Sequence, residues 1–152
     1  MKNNTRRNRL AGYLMGMAVM LAAGGAQAAC TQVDLTGTWY AFGVSGDVGR
    51  AYLEQASRCK FAVNSRGTII ASGSSCLTRD YVGNSTASIS GGSLRVNSAC
   101  AVTGNVNVCT PVGCFAIRVQ AAQMERTKTS FPMIGYSNVN PYWLVSLQAV
   151  KQ

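Results

Sequence analysis

Few residues of this chain have side chains that commonly do chemistry. There is no histidine, and there are five carboxylates and six cysteines among 152 residues. A chain without histidine has no Ser-His-Asp or Cys-His arrangement and no imidazole metal ligand. No two carboxylates are close enough in sequence to indicate an acid/base pair. They are Asp34, Asp47, Glu54, Asp80 and Glu125. The sequence therefore predicts a protein that is not an enzyme, with no catalytic residue, no metal site and no cofactor.

The six cysteines are the set whose spacing indicates a definite reaction, which is oxidation to disulfides. Cys109 and Cys114 flank residues 110–113, a Thr-Pro-Val-Gly turn between two alternating stretches, so they would face each other across a hairpin. Cys59 and Cys76 enclose a second hairpin pattern, and elimination leaves one further pair. Among the connectivities that six cysteines allow, we favour on geometric grounds Cys109–Cys114, Cys59–Cys76 and Cys30–Cys100.

Residues 1–28 have the pattern of a secretory signal peptide. Lys2 and three arginines precede an apolar run at 10–23, and Ala26-Gln27-Ala28 is a typical cleavage site. The run is shorter than the roughly 20 residues that a spanning helix needs. An even number of cysteines after such a signal is typical of an oxidising compartment. We expect residues 29–152 to be a single domain, periplasmic or secreted, with no integral membrane span.

The elements that must position the cysteines have the pattern of short β-strands. In residues 35–42, Gly37, Trp39 and Ala41 share one face, and Tyr40 and Phe42 lie on the other. Similar alternation recurs at 58–63, 94–96, 106–109, 114–119 and 143–150, with a further strand at 131–136. Residues 50–55 are compatible with a short helix or a strand. We expect residues 72–75 to end a strand and Gly91-Gly92 to form a turn.

About eight such strands predict an all-β protein, a small antiparallel up-and-down β-barrel braced by disulfides. The strand at 143–150 would pair with the strand that holds Trp39 and close the barrel. The interior of an eight-stranded barrel is either filled by side chains or just wide enough for one small ligand. The aromatic candidates to line such a cavity are Tyr40, Phe42, Tyr136 and Trp143, and the alternative is that these residues fill the core.

The segment Gly37-Thr38-Trp39 resembles the Gly-x-Trp signature of the lipocalins, which are calycin-type barrels. The resemblance implies that Gly37 and Trp39 belong to the first strand and that Trp39 lies across the closed end of the barrel. In lipocalins a late arginine packs over this tryptophan, whereas the basic residue nearest the end of this chain is Lys151. The leading functional prediction is a secreted or periplasmic non-catalytic binding protein with a lipocalin-like barrel and a small hydrophobic ligand.

Two other functions have some support in the sequence. Residues 35–39, residues 58–63 and Cys76 resemble the opening of the bacterial periplasmic metalloprotease inhibitors, lipocalin-like barrels whose leader enters a secreted protease. That resemblance implies a protein partner for residues 29–34. A surface or assembly role is the third possibility. Removal of residues 1–28 reduces the formal net charge from +9 to +5, and the remaining basic residues are spread along the chain, so we expect no nucleic-acid partner.

Overall fold

Eight antiparallel strands account for most of residues 29–49 and 52–152, the part of the chain that the computed structural model describes. The predicted signal peptide lies outside these residues. A 3-10 helix, Gln32–Leu35, precedes the strands. The strands are β1 (Gly37–Asp47), β2 (Tyr52–Val63), β3 (Ile69–Arg79), β4 (Asn84–Val96), β5 (Val102–Thr110), β6 (Gly113–Ala122), β7 (Ser130–Ser137) and β8 (Trp143–Lys151).

Each strand pairs with the next one along the chain, and β8 pairs with β1, so the sheet closes into an up-and-down barrel. In the closing pair, Trp39 lies opposite Lys151 and Asp47 lies opposite Trp143. The predicted all-β class, antiparallel barrel and pairing of the first and last strands are therefore confirmed. None of the helical segments within 29–49 and 52–152 has the length and hydropathy that crossing a bilayer requires.

Side-chain alternation divides each strand between the barrel interior and its outer surface. On β1, Trp39 and Ala41 are fully buried, whereas Phe42 is 49% exposed. On β8, Val145 and Ala149 are buried and Val150 is exposed. These are the faces that the period-two pattern predicts. The inward face is apolar because it removes its side chains from water, which stabilises the barrel by about 25 cal/mol for each Å² of apolar surface buried.

Two local predictions were wrong. Residues 72–75 do not end a strand but lie within β3, and Gly91 and Gly92 lie within β4 rather than in a turn. Both stretches adjoin register shifts, between Lys60 and Ala62 on β2 and between Ile89 and Gly91 on β4. Bulges of this kind admit glycine and serine without ending the strand. The strands are consequently longer than expected, and the ambiguous segment at 50–55 enters β2 at Tyr52.

The structure joins Cys30 to Cys100, Cys59 to Cys76 and Cys109 to Cys114, which are the pairs that the sequence favours. Cys59 and Cys76 are direct cross-strand partners on β2 and β3. Cys109 and Cys114 are partners on β5 and β6, beside the tight turn. The Cys30–Cys100 bridge instead connects the N-terminal leader to the turn between β4 and β5.

One end of the barrel is packed around Trp39. Its indole Nε1 donates a hydrogen bond to the Leu35 carbonyl oxygen at 2.7 Å, and its ring meets the Phe131 ring edge-on with centroids 4.9 Å apart. Lys151 places its ammonium 5.7 Å from the centroid of the Trp39 ring. The 3-10 helix covers this end. The side-chain amide of Gln32 holds the helix there, because it donates a hydrogen bond to the Leu94 carbonyl oxygen and accepts one from the Val96 backbone N–H. Trp39 thus lies at the closed end.

Candidate functional site

The half of the barrel away from Trp39 contains a cavity of about 390 Å³. Its lowest walls include Phe61, the cross-strand neighbour of Trp39, so the cavity begins directly above the packed end. At the other end it reaches the turn between β5 and β6, where Val112 is 97% exposed. A cavity lined by such an exposed residue is open to solvent. A cavity of this size falls within the range of small-molecule sites, about 300–1,000 Å³.

The inner part of the cavity is apolar. Its walls there come from six strands, and side chains reach it because every second residue of each strand points inward. The contributors are Phe61, Ile89, Val106, Val108, Phe115, Ile117, Met133, Val145 and Leu147. A disulfide also forms part of the wall, since Cys59 and Cys76 both line the cavity, with Ala87 beside Cys76 on the next strand. This surface suits hydrocarbon.

The outer part of the cavity is lined by hydroxyl groups. Ser57, Thr78 and Ser85 are successive cross-strand neighbours on β2, β3 and β4, one level above Cys59, Cys76 and Ala87. The Thr78 and Ser85 hydroxyl oxygens are 2.6 Å apart and share a hydrogen bond. Further polar lining residues are Ser45, Gln55 and Thr110. The register therefore produces a polar rim above an apolar floor.

Asp80 is the one charged side chain among the cavity-lining residues of 29–49 and 52–152. Its Oδ1 accepts hydrogen bonds from the backbone N–H groups of Val82 at 2.8 Å and Gly83 at 2.9 Å, which fixes the turn between β3 and β4. Asp47 makes a similar contact to the Gly49 N–H at 2.8 Å in the next loop around the mouth, but Asp47 does not line the cavity. The carboxylate of Asp80 is thus held at the rim by its own turn.

Of the four aromatic residues predicted to line the cavity, the structure places only Trp143 there. Tyr40 and Phe42 alternate with the inward Trp39 and Ala41, so they point away from the interior. Tyr136 shares the outer face of β7 with Ile134, which is 41% exposed. The prediction for Tyr40, Phe42 and Tyr136 is therefore corrected. It relied on residue type, whereas the inward face of each strand is set by that strand's own alternation, which turns Trp39 and Ala41 inward on β1 and Met133 inward on β7.

The other lining residues were missed for the same reason. Phe61, Phe115 and Met133 each belong to an inward series that the alternation already marks, and that pattern could have identified them. The serines and threonines of the rim carry no comparable signal, because isolated hydroxyl residues in a strand pattern resemble solvent-facing positions. Asp80 could not be placed either, since its inward position depends on how β3 continues past residues 72–75.

The N-terminal leader is fastened to the closed end. Cys30 is buried and bonded to Cys100. The Lys128 ammonium lies 2.9 Å from the Asp34 carboxylate and donates to the Ala29 carbonyl oxygen at 3.0 Å. The hydrogen bond from Lys128, together with those from the Thr31 backbone and hydroxyl, holds the pKa of Asp34 below its usual value although partial burial opposes this. These contacts tie residues 29–34 to the barrel.

No group of three or more histidine, cysteine or acidic side chains in the described residues could hold a metal ion. Comparison of the chain with protein-family models, with curated proteins and with solved structures finds no match. The cavity and its polarity are therefore the basis for a functional proposal.

Proposed function

We propose that this protein is a non-catalytic binding protein that holds one small, largely apolar molecule inside the barrel, with the molecule's polar end at the mouth. The observation that carries the proposal is the cavity of about 390 Å³, apolar below and lined with hydroxyls above. Eight-stranded barrels have room for one small ligand at most. Burial of a hydrocarbon chain against the floor would supply most of the binding free energy, about 0.8 kcal/mol per CH₂ group.

The rim favours a ligand whose polar end is neutral or cationic. Hydroxyl groups accept and donate hydrogen bonds, so Ser57, Thr78 and Ser85 suit an alcohol or an amine. Asp80 adds a negative charge, which attracts an ammonium and repels a carboxylate. The proposed ligand class is therefore an amphiphile with a hydroxyl or amine head group and an aliphatic or aromatic tail.

Two features support a lipocalin-like carrier in a periplasmic or extracellular setting. The Gly-x-Trp strand covers the closed end with Trp39, and the late basic residue Lys151 packs over that ring. Three disulfides are compatible with an oxidising compartment.

The protease-inhibitor alternative loses its main support. An inhibitory leader must leave the barrel and enter a protease cleft. Here Cys30 is buried and bridged to Cys100, and Lys128 binds both Ala29 and Asp34. Within residues 29–34 the chain is therefore attached to its own barrel, and we do not retain the inhibitor proposal.

The proposal is tested by titrating the oxidised protein with dodecylamine, dodecanol and dodecanoate while following tryptophan fluorescence, since Trp143 lines the cavity. We expect saturable binding of one molecule per barrel. Dodecylamine should bind about tenfold more tightly than dodecanoate, because the Asp80 charge acts in a partly desolvated site. Asp80→Asn should reduce that ratio to about one while it keeps the oxygen that accepts from Val82 and Gly83.

Asp47→Asn is the matched control. Asp47 likewise accepts a hydrogen bond from the backbone N–H two residues on, at the mouth, but does not line the cavity, so its variant should keep the preference for the amine. Failure of all three probes to change the fluorescence would contradict the binding proposal. If Asp80→Asn and Asp47→Asn bind the probes but lose the preference for dodecylamine equally, the proposed role of the Asp80 charge is contradicted.

A further inference from the structure

The outer surface of three consecutive strands, β7, β8 and β1, carries no charged side chain. Tyr40, Phe42 and Tyr136, the three aromatic residues that were predicted to line the cavity but face away from it, lie here among aliphatic and small polar neighbours. We call this surface the outer patch, and it consists of Tyr40, Phe42, Val44, Pro132, Ile134, Tyr136, Leu144, Ser146, Gln148 and Val150. Phe42, Ile134 and Val150 are 49%, 41% and 43% exposed. A barrel wall facing only water would be expected to have polar residues at these positions.

The register makes the outer patch continuous. Across β8 and β1, Val150 lies opposite Tyr40, and Gln148 lies opposite Phe42. Across β7 and β8, Ile134 lies opposite Ser146, and Tyr136 lies opposite Leu144. With strands about 4.8 Å apart and about 3.3 Å between residues, the outer patch covers roughly 300 Å². The outer patch is largely apolar, since only Ser146 and Gln148 interrupt it among the residues named, and apolar patches of about this size on a monomer are often interaction sites.

Basic side chains lie on both sides of the outer patch. On β2, Lys60 is the cross-strand neighbour of Tyr40, and Arg58 is the neighbour of Phe42. On β6, Arg118 is the neighbour of Tyr136. All three basic residues are exposed, and none forms an ion pair with another described residue. The apolar surface is thus bordered by unneutralised positive charge.

We propose that the outer patch docks the barrel, lying on its side, onto a lipid bilayer rich in anionic head groups. Aromatic and aliphatic side chains would enter the interfacial region, where tyrosine is favoured because it has an apolar ring and a polar hydroxyl. Arg58, Lys60 and Arg118 would contact lipid phosphates, each contributing about fivefold to the affinity. Such docking uses both the apolar face and the charge around it.

A second copy of the chain fits this surface less well. Stable dimers bury about 800 Å² on each partner, well above the size of the outer patch. Two copies packed face to face would also bring their basic borders together, and like charges at an interface oppose association. An anionic bilayer would instead place negative charge against the same basic residues, which favours association.

The test is co-sedimentation of the oxidised protein after removal of residues 1–28, whose basic and apolar residues would themselves bind anionic lipid, with vesicles of phosphatidylethanolamine and phosphatidylglycerol, compared with vesicles of phosphatidylcholine alone. We expect binding to the anionic vesicles that weakens with added salt and little binding to phosphatidylcholine. Ile134→Ser should weaken binding about tenfold through loss of its apolar contact. Arg58→Gln should weaken binding about fivefold and reduce its salt dependence.

Two variants outside the outer patch serve as controls. Ile70→Ser removes an isoleucine of nearly equal exposure, 44%, from the outer face of β3, and Arg95→Gln removes an exposed cation from β4 on the opposite wall. Both should bind anionic vesicles like the original protein. Absence of vesicle binding, or equal losses in Ile134→Ser and Ile70→Ser, would overturn the proposal. So would a concentration-dependent dimer in light scattering that Ile134→Ser abolishes without any vesicle binding. The cavity proposal is unaffected by these outcomes, because its lining residues are not altered.

Discussion

Trp39 illustrates how one residue organises an end of the barrel. It is fully buried, its indole N–H donates to the Leu35 carbonyl oxygen, its ring meets the Phe131 ring edge-on, and the Lys151 ammonium lies over the ring. The adjoining Gly37 has a φ of +131°, and a Cβ there would lie 2.9 Å from Lys151 Cε. Glycine is thus favoured by the backbone conformation, whereas the flexible end of the Lys151 side chain can move aside. The backbone conformation at Gly37 and the contacts of Trp39 explain why the first strand of the barrel begins with the sequence Gly-x-Trp.

The Asp34–Lys128 pair predicts a pH dependence of stability at the residue scale. Because the pKa of Asp34 is lower in the folded protein, its ionised form favours folding at neutral pH, and that contribution disappears as the pH falls through the folded-state pKa. The pair is partly exposed, so we expect a contribution below about 1 kcal/mol. Urea unfolding should show Asp34→Asn less stable than the original protein at pH 6, with the difference closing near pH 2. A difference that does not change with pH would contradict this assignment.

At the scale of elements, prediction succeeded where a pattern is local and failed where a strand bends. The hairpin of β5 and β6 was predictable, because its turn and its two cysteines specify the register together. The continuity of β4 through Gly91 and Gly92 was not, since glycine pairs mark turns and bulges alike. Only the pairing of β4 with β5 decides between a turn and a bulge, because a Cβ on Gly92 would clash with the Asn105 carbonyl oxygen. Gly92 therefore permits the close approach of β4 to β5.

The disulfides should differ in how much they stabilise the fold. In the chain-entropy account, a bridge stabilises more when it closes a longer loop. Cys30–Cys100 spans 70 residues, whereas Cys109–Cys114 spans 5. We expect the Cys30→Ser/Cys100→Ser double variant to lose about 4 kcal/mol of unfolding free energy and the Cys109→Ser/Cys114→Ser variant about 2 kcal/mol. Denaturant unfolding measures both, and equal losses would contradict this ranking.

At the scale of the whole molecule, the sequence predicted a closed barrel but not how its interior is divided. Alternation on each strand identifies the inward residues one strand at a time, so the barrel and its closure follow from the pattern. Whether those inward side chains fill the interior or leave a cavity depends on the sizes of the side chains that all eight strands contribute at one level of the barrel. Near Trp39 large side chains and the 3-10 helix fill the interior, whereas at the level of Ala87 and at the level of Ser57 above it the inward side chains on β2, β3 and β4 are small. The cavity is the result of that difference in size.

The central claim, that the space above Trp39 holds one small molecule, is tested most directly by filling that space. Ala87 lines the cavity, so Ala87→Phe should occupy it, whereas Ala56 is exposed on β2 and Ala56→Phe adds the same ring outside. The measurement is titration of both folded variants with N-phenyl-1-naphthylamine, whose fluorescence rises in an apolar site. We predict binding of one molecule per barrel in the original protein and in Ala56→Phe, and at least tenfold weaker binding in Ala87→Phe. Equal binding by all three proteins would contradict the account.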